Sequence, residues 1–184
     1  MISEQENERW TRVGPGTPGG EMLRCYWWPV AFSDQVNGKR PTMARLLGEK
    51  FVLFRDGSGQ VGMLETQCAH RRTSLQYARV ETKGIRCCYH GWMFDRHGKC
   101  LETPPEEPES TLKDRVSMRA YAVQERAGLV FAYIGSKPAP QLPNYDMLVH
   151  SAGTRYVYGN DNHCNWLQAA ENAADVTQIG RAHV

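Results

Sequence analysis

The sequence predicts a mainly β domain with the start of a second, α+β domain behind it, and three observations carry that prediction. From Val30 to residue 135, short β-rich runs alternate with glycine-containing turns at hairpin spacing. The segment SKPAPQLPN, 136–144, then places three prolines in nine residues, the composition of a stiff connector. Beyond it, NWLQAAENAAD is rich in helix formers, with Trp166, Ala169, Ala170 and Ala173 at helical spacing. The chain therefore divides into an N-terminal segment at 1–29, a β domain at 30–135, a linker at 136–147 and the start of a second domain at 148–178.

Taken in order, TRVGPGTPGGEMLRCYWWPVAF, 11–32, reads as a loop rich in glycine and proline that leads into a strand. MARLLG and KFVLFRD flank a turn at Gly48-Glu49, and Asp56-Gly57-Ser58-Gly59 turns the chain into QVGMLE. GIRCC, WMFD and KCLET are the next strands, the last two joined by Arg96-His97-Gly98. The acidic TPPEEPES, 103–110, is a surface loop, because proline lacks the donor that a central strand needs and unpaired carboxylates resist burial. RAYAV and GLVFAYIG flank a turn between Gln124 and Ala127, and TRYVYGND alternates like a strand ahead of the final helix.

Composition narrows the function classes. The 184 residues are 41% hydrophobic, enough for one substantial core, and 22 basic residues face 20 acidic ones with no long run of either sign. That is a mixed solvated surface, and it argues against nucleic acid or an anionic membrane as partner. The N-terminus has acidic residues where a signal peptide has basic ones, and no apolar run approaches the roughly 20 residues that cross a bilayer. The expectation is a soluble, cytoplasmic protein. In a reducing compartment its six cysteines are thiols or metal ligands, not a disulfide framework.

Two cysteine–histidine pairs stand out. Cys68-Ala-His70 is followed, after 16 residues, by Cys87-Cys88-Tyr89-His90, and each pair falls in a turn-like segment beside a strand, where core residues are not expected. Two thiolates and two imidazoles suit a structural zinc ion. They equally suit a [2Fe–2S] centre in which two cysteines hold one iron and two histidines the other. Spacing leaves both open, and does not choose between Cys87 and Cys88.

The surrounding sequence, CAHRRTSLQYARVETKGIRCCYHGWMFDRHGKC, resembles the cluster-binding segment of Rieske oxygenases: C-x-H, a spacer of this length, then C-x-x-H-G-W with a glycine-turn hairpin behind it. The resemblance implies a Rieske [2Fe–2S] domain of antiparallel sheets with two cluster-binding hairpin loops, and Cys68, His70, Cys87 and His90 as ligands. Cys88 is then a bystander expected to pack beneath the cluster, Trp92 a core residue, and the edges of His70 and His90 the face that meets solvent. Family members commonly carry a small residue at the position of Arg72. Replacing two thiolates by neutral imidazoles raises the reduction potential above that of an all-cysteine cluster, so such a centre accepts electrons readily.

Residues 11–32 resemble the N-terminal segment of the phthalate-dioxygenase-like branch of these oxygenases, and CNWLQAAENAAD, 164–175, resembles the start of their catalytic domain. On that pattern Asp175 is the aspartate that bridges a Rieske histidine of one subunit to an iron-ligating histidine of the next. The resemblance further implies an NAD(P)H-dependent reductase carrying flavin or an iron–sulfur group as partner, a homotrimer, and a mononuclear Fe(II), present only in the full-length protein, that activates O₂ to hydroxylate an aromatic substrate. An O-demethylating monooxygenase and a Rieske ferredoxin carrier are the alternatives. The family pattern places an iron-ligating histidine at position 178, which here is Gln178, and a second near His183. IGRAHV, however, is the translation in one frame of a widely used sequencing adapter. Residues 179–184 are therefore expected to be read-through, Gln178 a hybrid codon and His183 no ligand, which leaves the mononuclear site absent from this chain.

Overall fold

A computed structural model describes residues 2–175. Gln178, His183 and the whole of 179–184 lie outside the described residues. Two helices come first, the second of them inside the stretch 11–32 that the sequence reads as loop leading into a strand. A capping box starts α1 (Glu4–Thr11): the Ser3 N–H donates to Glu6 at 2.8 Å and the Glu6 N–H to Ser3 Oγ at 3.2 Å. Proline in the first turn and Thr17 as N-cap start α2 (Pro18–Leu23). The S-x-x-E and Thr-Pro signals were both present in the sequence.

Among the described residues the strands are β1 (Trp28–Phe32), β2 (Thr42–Leu46), β3 (Glu49–Arg55), β4 (Val61–Glu65), β5 (Arg79–Glu81), β6 (Gly84–Arg86), β7 (Met93–Phe94), β8 (Cys100–Glu102), β9 (Ala120–Arg126) and β10 (Leu129–Tyr133). A short α3 (Leu112–Arg115) precedes β9, α4 (Asp146–Val149) follows the proline-rich segment, and α5 (Trp166–Ala174) closes the described chain. Pairing is antiparallel throughout, in a six-stranded sheet of order β1-β10-β9-β4-β3-β2 and a four-stranded sheet of order β5-β6-β7-β8.

The apolar run FVLF of β3 has no polar alternation because the large sheet is covered on both faces. Val52 and Phe54 join Leu64, Ile85 and Phe94 in the core shared with the small sheet, whereas Phe51 and Leu53 join Met63, Val130 and Ala132 on the opposite side. Both cores are closed to solvent.

Two turns sit one to three residues away from their expected positions. The β2–β3 connection is Leu47-Gly48, and the β9–β10 connection is Ala127-Gly128, with Arg126 pairing with Leu129. All four residues have positive φ, between 47° and 82°. Two-residue hairpins of this kind need left-handed backbone at both positions and favour glycine at the second, so each turn ends on its glycine.

The proline-rich segment packs onto the β domain. Leu142 is fully buried, and the Trp27 indole N–H donates to the Pro140 carbonyl at 2.9 Å. TRYVYGND forms no strand: Tyr156 and Tyr158 are exposed, and the edges of the large sheet are β1 and β2, so its backbone finds no ladder partner among the described residues. The final helix forms as expected, with Asn165 as N-cap accepting from the Leu167 N–H at 3.0 Å. Among the described residues, no helix is long and apolar enough to cross a membrane.

Candidate metal centre

Two loops build the site. The first runs from β4 to Leu75 and is pinned by its own backbone: the Cys68 N–H donates to Thr73 O at 2.9 Å, Arg72 to Cys68 O at 2.8 Å and Leu75 to Thr66 O at 2.8 Å. Arg72 makes the turn with φ of 56°. Left-handed backbone is the physical reason a small residue suits that position. The second loop connects β6 to β7. The Cys87 N–H donates to Trp92 O at 2.9 Å, the Gly91 N–H returns to Cys87 O at 3.2 Å, and Gly91 takes a φ of 76° that closes the turn.

The loops bring the four sequence-predicted residues together in two pairs. Cys68 and Cys87 are 1% and 4% exposed, and their thiols lie within hydrogen-bonding reach of each other. His70 and His90 meet edge to face at the rim, ring centroids 4.6 Å apart, and both are half-buried. Trp92 is buried and stacks on His70 at 4.5 Å, 7° from parallel, while the exposed Tyr89 lies against His90 at 3.8 Å. Trp92 is thus in the core, as expected, and also fixes the plane of one imidazole. Cys88 corrects its expectation: it is exposed, not packed beneath the site. Its neighbour Cys87 is buried, and Cys88 begins the turn that the Gly91 N–H closes on Cys87 O, on the solvent side of the loop.

The electrostatics follow from burial. Burial foremost, then the charge and hydrogen bond of Cys87, pushes the Cys68 thiol up to about 11. Burial, and after it the charges of His90 and Arg71, holds His70 below the usual histidine value, which keeps the ring neutral with a free lone pair. His70 Nδ1 is buried without a hydrogen-bond partner among the described residues, and so is the Trp92 indole N–H. Buried polar atoms are rarely orphaned, so an unpartnered, buried His70 Nδ1 fits a nitrogen that would ligate a metal.

The donor set fits a two-iron cluster better than one zinc ion. Zinc gathers four donors within about 2.3 Å of a single point. Among the described residues no three His, Cys, Asp or Glu side chains converge in that way. A thiol pair beside an imidazole pair is instead the arrangement that two bridged irons require.

Asp175 belongs to a different element: it caps the C-terminal end of α5, with its N–H on Asn172 O at 3.4 Å. Sequence reading passed over Arg86, one residue before Cys87, whose guanidinium reaches into the second loop. Its only sequence signal was adjacency.

Residues 26–125 match the family described as the Rieske [2Fe–2S] domain. The chain is 43% identical over 178 residues to the 5,5'-dehydrodivanillate O-demethylase oxygenase subunit of Sphingobium sp. (strain NBRC 103272 / SYK-6), an alignment covering 95% of this chain and 42% of the relative. It is 48% identical over 166 residues to the tert-butanol monooxygenase / tert-amyl alcohol desaturase oxygenase subunit of Aquincola tertiaricarbonis, covering 89% of this chain and 35% of that one. Among solved structures, the reduced complex between oxygenase and ferredoxin in carbazole 1,9a-dioxygenase superimposes with a TM-score of 0.56 at 30% identity, over 66% of this chain and 33% of the other. The chain thus spans less than half the length of the relatives it matches.

Proposed function

This chain belongs to the Rieske [2Fe–2S] family, among the oxygenase α subunits, and on that premise we propose that it is the electron-accepting part of a Rieske non-haem iron oxygenase. In this reading Cys68 and Cys87 hold one iron and His70 and His90 the other. The observation that carries it is the pairing of two buried thiols with two imidazoles at the rim, one of them with an orphaned buried nitrogen. Bound there, the cluster would take up and release single electrons at a potential raised by its neutral ligands.

The chain's own residues do the rest. The buried thiol pair keeps water from the cysteine side, Trp92 holds the His70 ring in one plane, and the histidine rim is left as the route of electron exchange. Residues 30–135 form the cluster domain, 136–147 the linker and 148–178 the start of a catalytic domain. In the whole protein this domain would receive electrons from an NAD(P)H-dependent reductase and serve a mononuclear Fe(II) site at which O₂ hydroxylates an aromatic substrate. Asp175 would carry the coupling between subunits of a homotrimer.

A second reading of the whole protein, O-demethylating monooxygenation, is favoured by the name of the Sphingobium relative. A free-standing Rieske ferredoxin is disfavoured by α5 and by an alignment with an oxygenase subunit that runs over 95% of the chain. The test is reconstitution with iron and sulfide. The expected product has the visible absorption and low average g-value of a Rieske centre. Colourless, zinc-loaded protein from iron-replete cells would sink the reading.

A further inference from the structure

Arg86 lies at the end of β6 with its side chain only 14% exposed, and it makes four sets of contacts there. Nε and Nη2 donate to the two carboxylate oxygens of Glu81 at 2.7 and 2.9 Å. Nη2 also donates to Glu102 at 2.7 Å and touches the Met93 sulfur at 3.4 Å. Nη1 donates to the Gly91 carbonyl at 2.7 Å. Register explains the set: Arg86 pairs with Met93, Met93 with Glu102, and Glu81 lies diagonally across on β5. One guanidinium thus ties β5, β6 and β8 together.

The bond to Gly91 does something that charge balance does not need. Glu81 and Glu102 already supply more negative charge than one guanidinium carries. Gly91 follows His90 directly and is the left-handed residue of the loop, the one whose peptide turns most freely. Its N–H, in the His90–Gly91 peptide, is already held by Cys87 O, and Arg86 fixes its carbonyl, in the Gly91–Trp92 peptide, so both peptides that flank the Gly91 Cα are held. The bidentate seat on Glu81 sets the plane of the guanidinium and hence the direction of Nη1. A lysine, with a single ammonium on a flexible stem, could not hold the carboxylates and the carbonyl together.

We propose that Arg86 is a positioning residue for His90, fixing the orientation of one imidazole at the metal centre by holding the Gly91 carbonyl and with it the backbone turn that follows His90. The inference rests on His90 being a ligand, as proposed above.

Pulsed EPR of the reduced, reconstituted chain reads the nitrogen couplings of the two imidazoles separately. The His90 signal is identified as the one moved by Tyr89→Ala, which strips away the exposed ring lying on His90. Arg86→Lys is expected to change the His90 coupling and shift the midpoint potential while the His70 coupling stays as in the wild type. Glu81→Gln, which loosens the seat but leaves the arginine, is expected to move the same coupling in the same direction and by less. Glu102→Gln should move neither coupling. If Arg86→Lys does not retain the cluster, Glu81→Gln alone decides. A wild-type His90 coupling and potential in Glu81→Gln, or equal disturbance of both imidazoles in either variant, overturns the positioning role. A wild-type chain without a Rieske spectrum overturns the metal-centre reading itself, a different result from a normal spectrum that ignores Arg86.

Discussion

At the scale of single residues, the turn that begins after Cys87 separates two adjacent thiols: Cys87 lies in the core beside Cys68, and Cys88 is exposed to solvent. Cys87→Ser is therefore expected to abolish cluster binding, and Cys88→Ser to leave the visible and EPR spectra recognisable. The reverse pattern would mean that the shorter Cys88-Tyr89-His90 pairing is the operative one. Trp92 tests packing in the same neighbourhood. It fills core between Phe94 and His70, and Trp92→Ala should cost about 3–5 kcal/mol in a denaturant titration by loss of transfer energy and opening of a cavity. Trp92→Phe keeps a ring against His70 and should cost less than half of that. Neither thiol burial nor the stacked indole could be read from spacing, since both depend on which side of a loop faces inward.

Elements are joined by a few multivalent side chains. Arg55, at the end of β3, donates to Val36 O at 2.7 Å, Gly59 O at 2.9 Å and Ser33 O at 3.1 Å, and grips both carboxylate oxygens of Glu125 on β9 at 2.6 and 2.7 Å. The hydrogen bonds from Arg55 hold the Glu125 carboxyl below its ordinary range, against the opposing effect of burial. A carboxylate with a lowered folded pKa contributes stability above its unfolded pKa and loses it as pH falls through the folded value. Melting temperature should accordingly decline on the acid side of the ordinary carboxylate range, and Glu125→Gln should be less stable near neutrality with a shallower acid decline. An identical slope in the two proteins would remove Glu125 from the account. At the other end of the chain, Asn165 caps α5 and also donates to Thr11 O at 3.2 Å, where the Trp166 indole donates at the same distance. Asn165→Ala should destabilise α5 by ~1 kcal/mol, seen as faster amide exchange confined to residues 166–174. This double seat on the carbonyl that ends α1 gives the N-terminal helix a reason to exist that its own exposed surface does not supply.

For the molecule as a whole, the proline-rich segment belongs with the β domain as far as Leu142. A chain ending after residue 144 should keep the melting temperature of the β domain and lose only the support that Asn165 and Trp166 give α1, whereas one ending after residue 135 loses the buried Leu142 and the Trp27–Pro140 bond and should melt lower. Leu142→Ala in the full chain should cost about 2–5 kcal/mol. A full-strength melt for the shorter chain would return the segment to the role of a mere spacer. The sequence by itself determined the hairpin succession and the final helix, because each is written in local chemistry: strand-forming runs between glycine turns, and Asn165 before helix formers; it also showed two cysteine–histidine pairs at loops, while the choice of Cys87 over Cys88 came with the resemblance to Rieske oxygenases. It also carried the capping signals of α1 and α2, which glycine and proline nearby obscured. Only the tertiary structure decided the rest. Whether TRYVYGND becomes a strand depends on a neighbour to complete its ladder, and an alternating pattern cannot state whether one is there. Which face of each loop looks inward set the burial of Cys87 against the exposure of Cys88. The convergence of Glu81, Glu102 and the Gly91 carbonyl on the Arg86 guanidinium follows from strand register, a relation between distant segments that no single stretch of sequence contains.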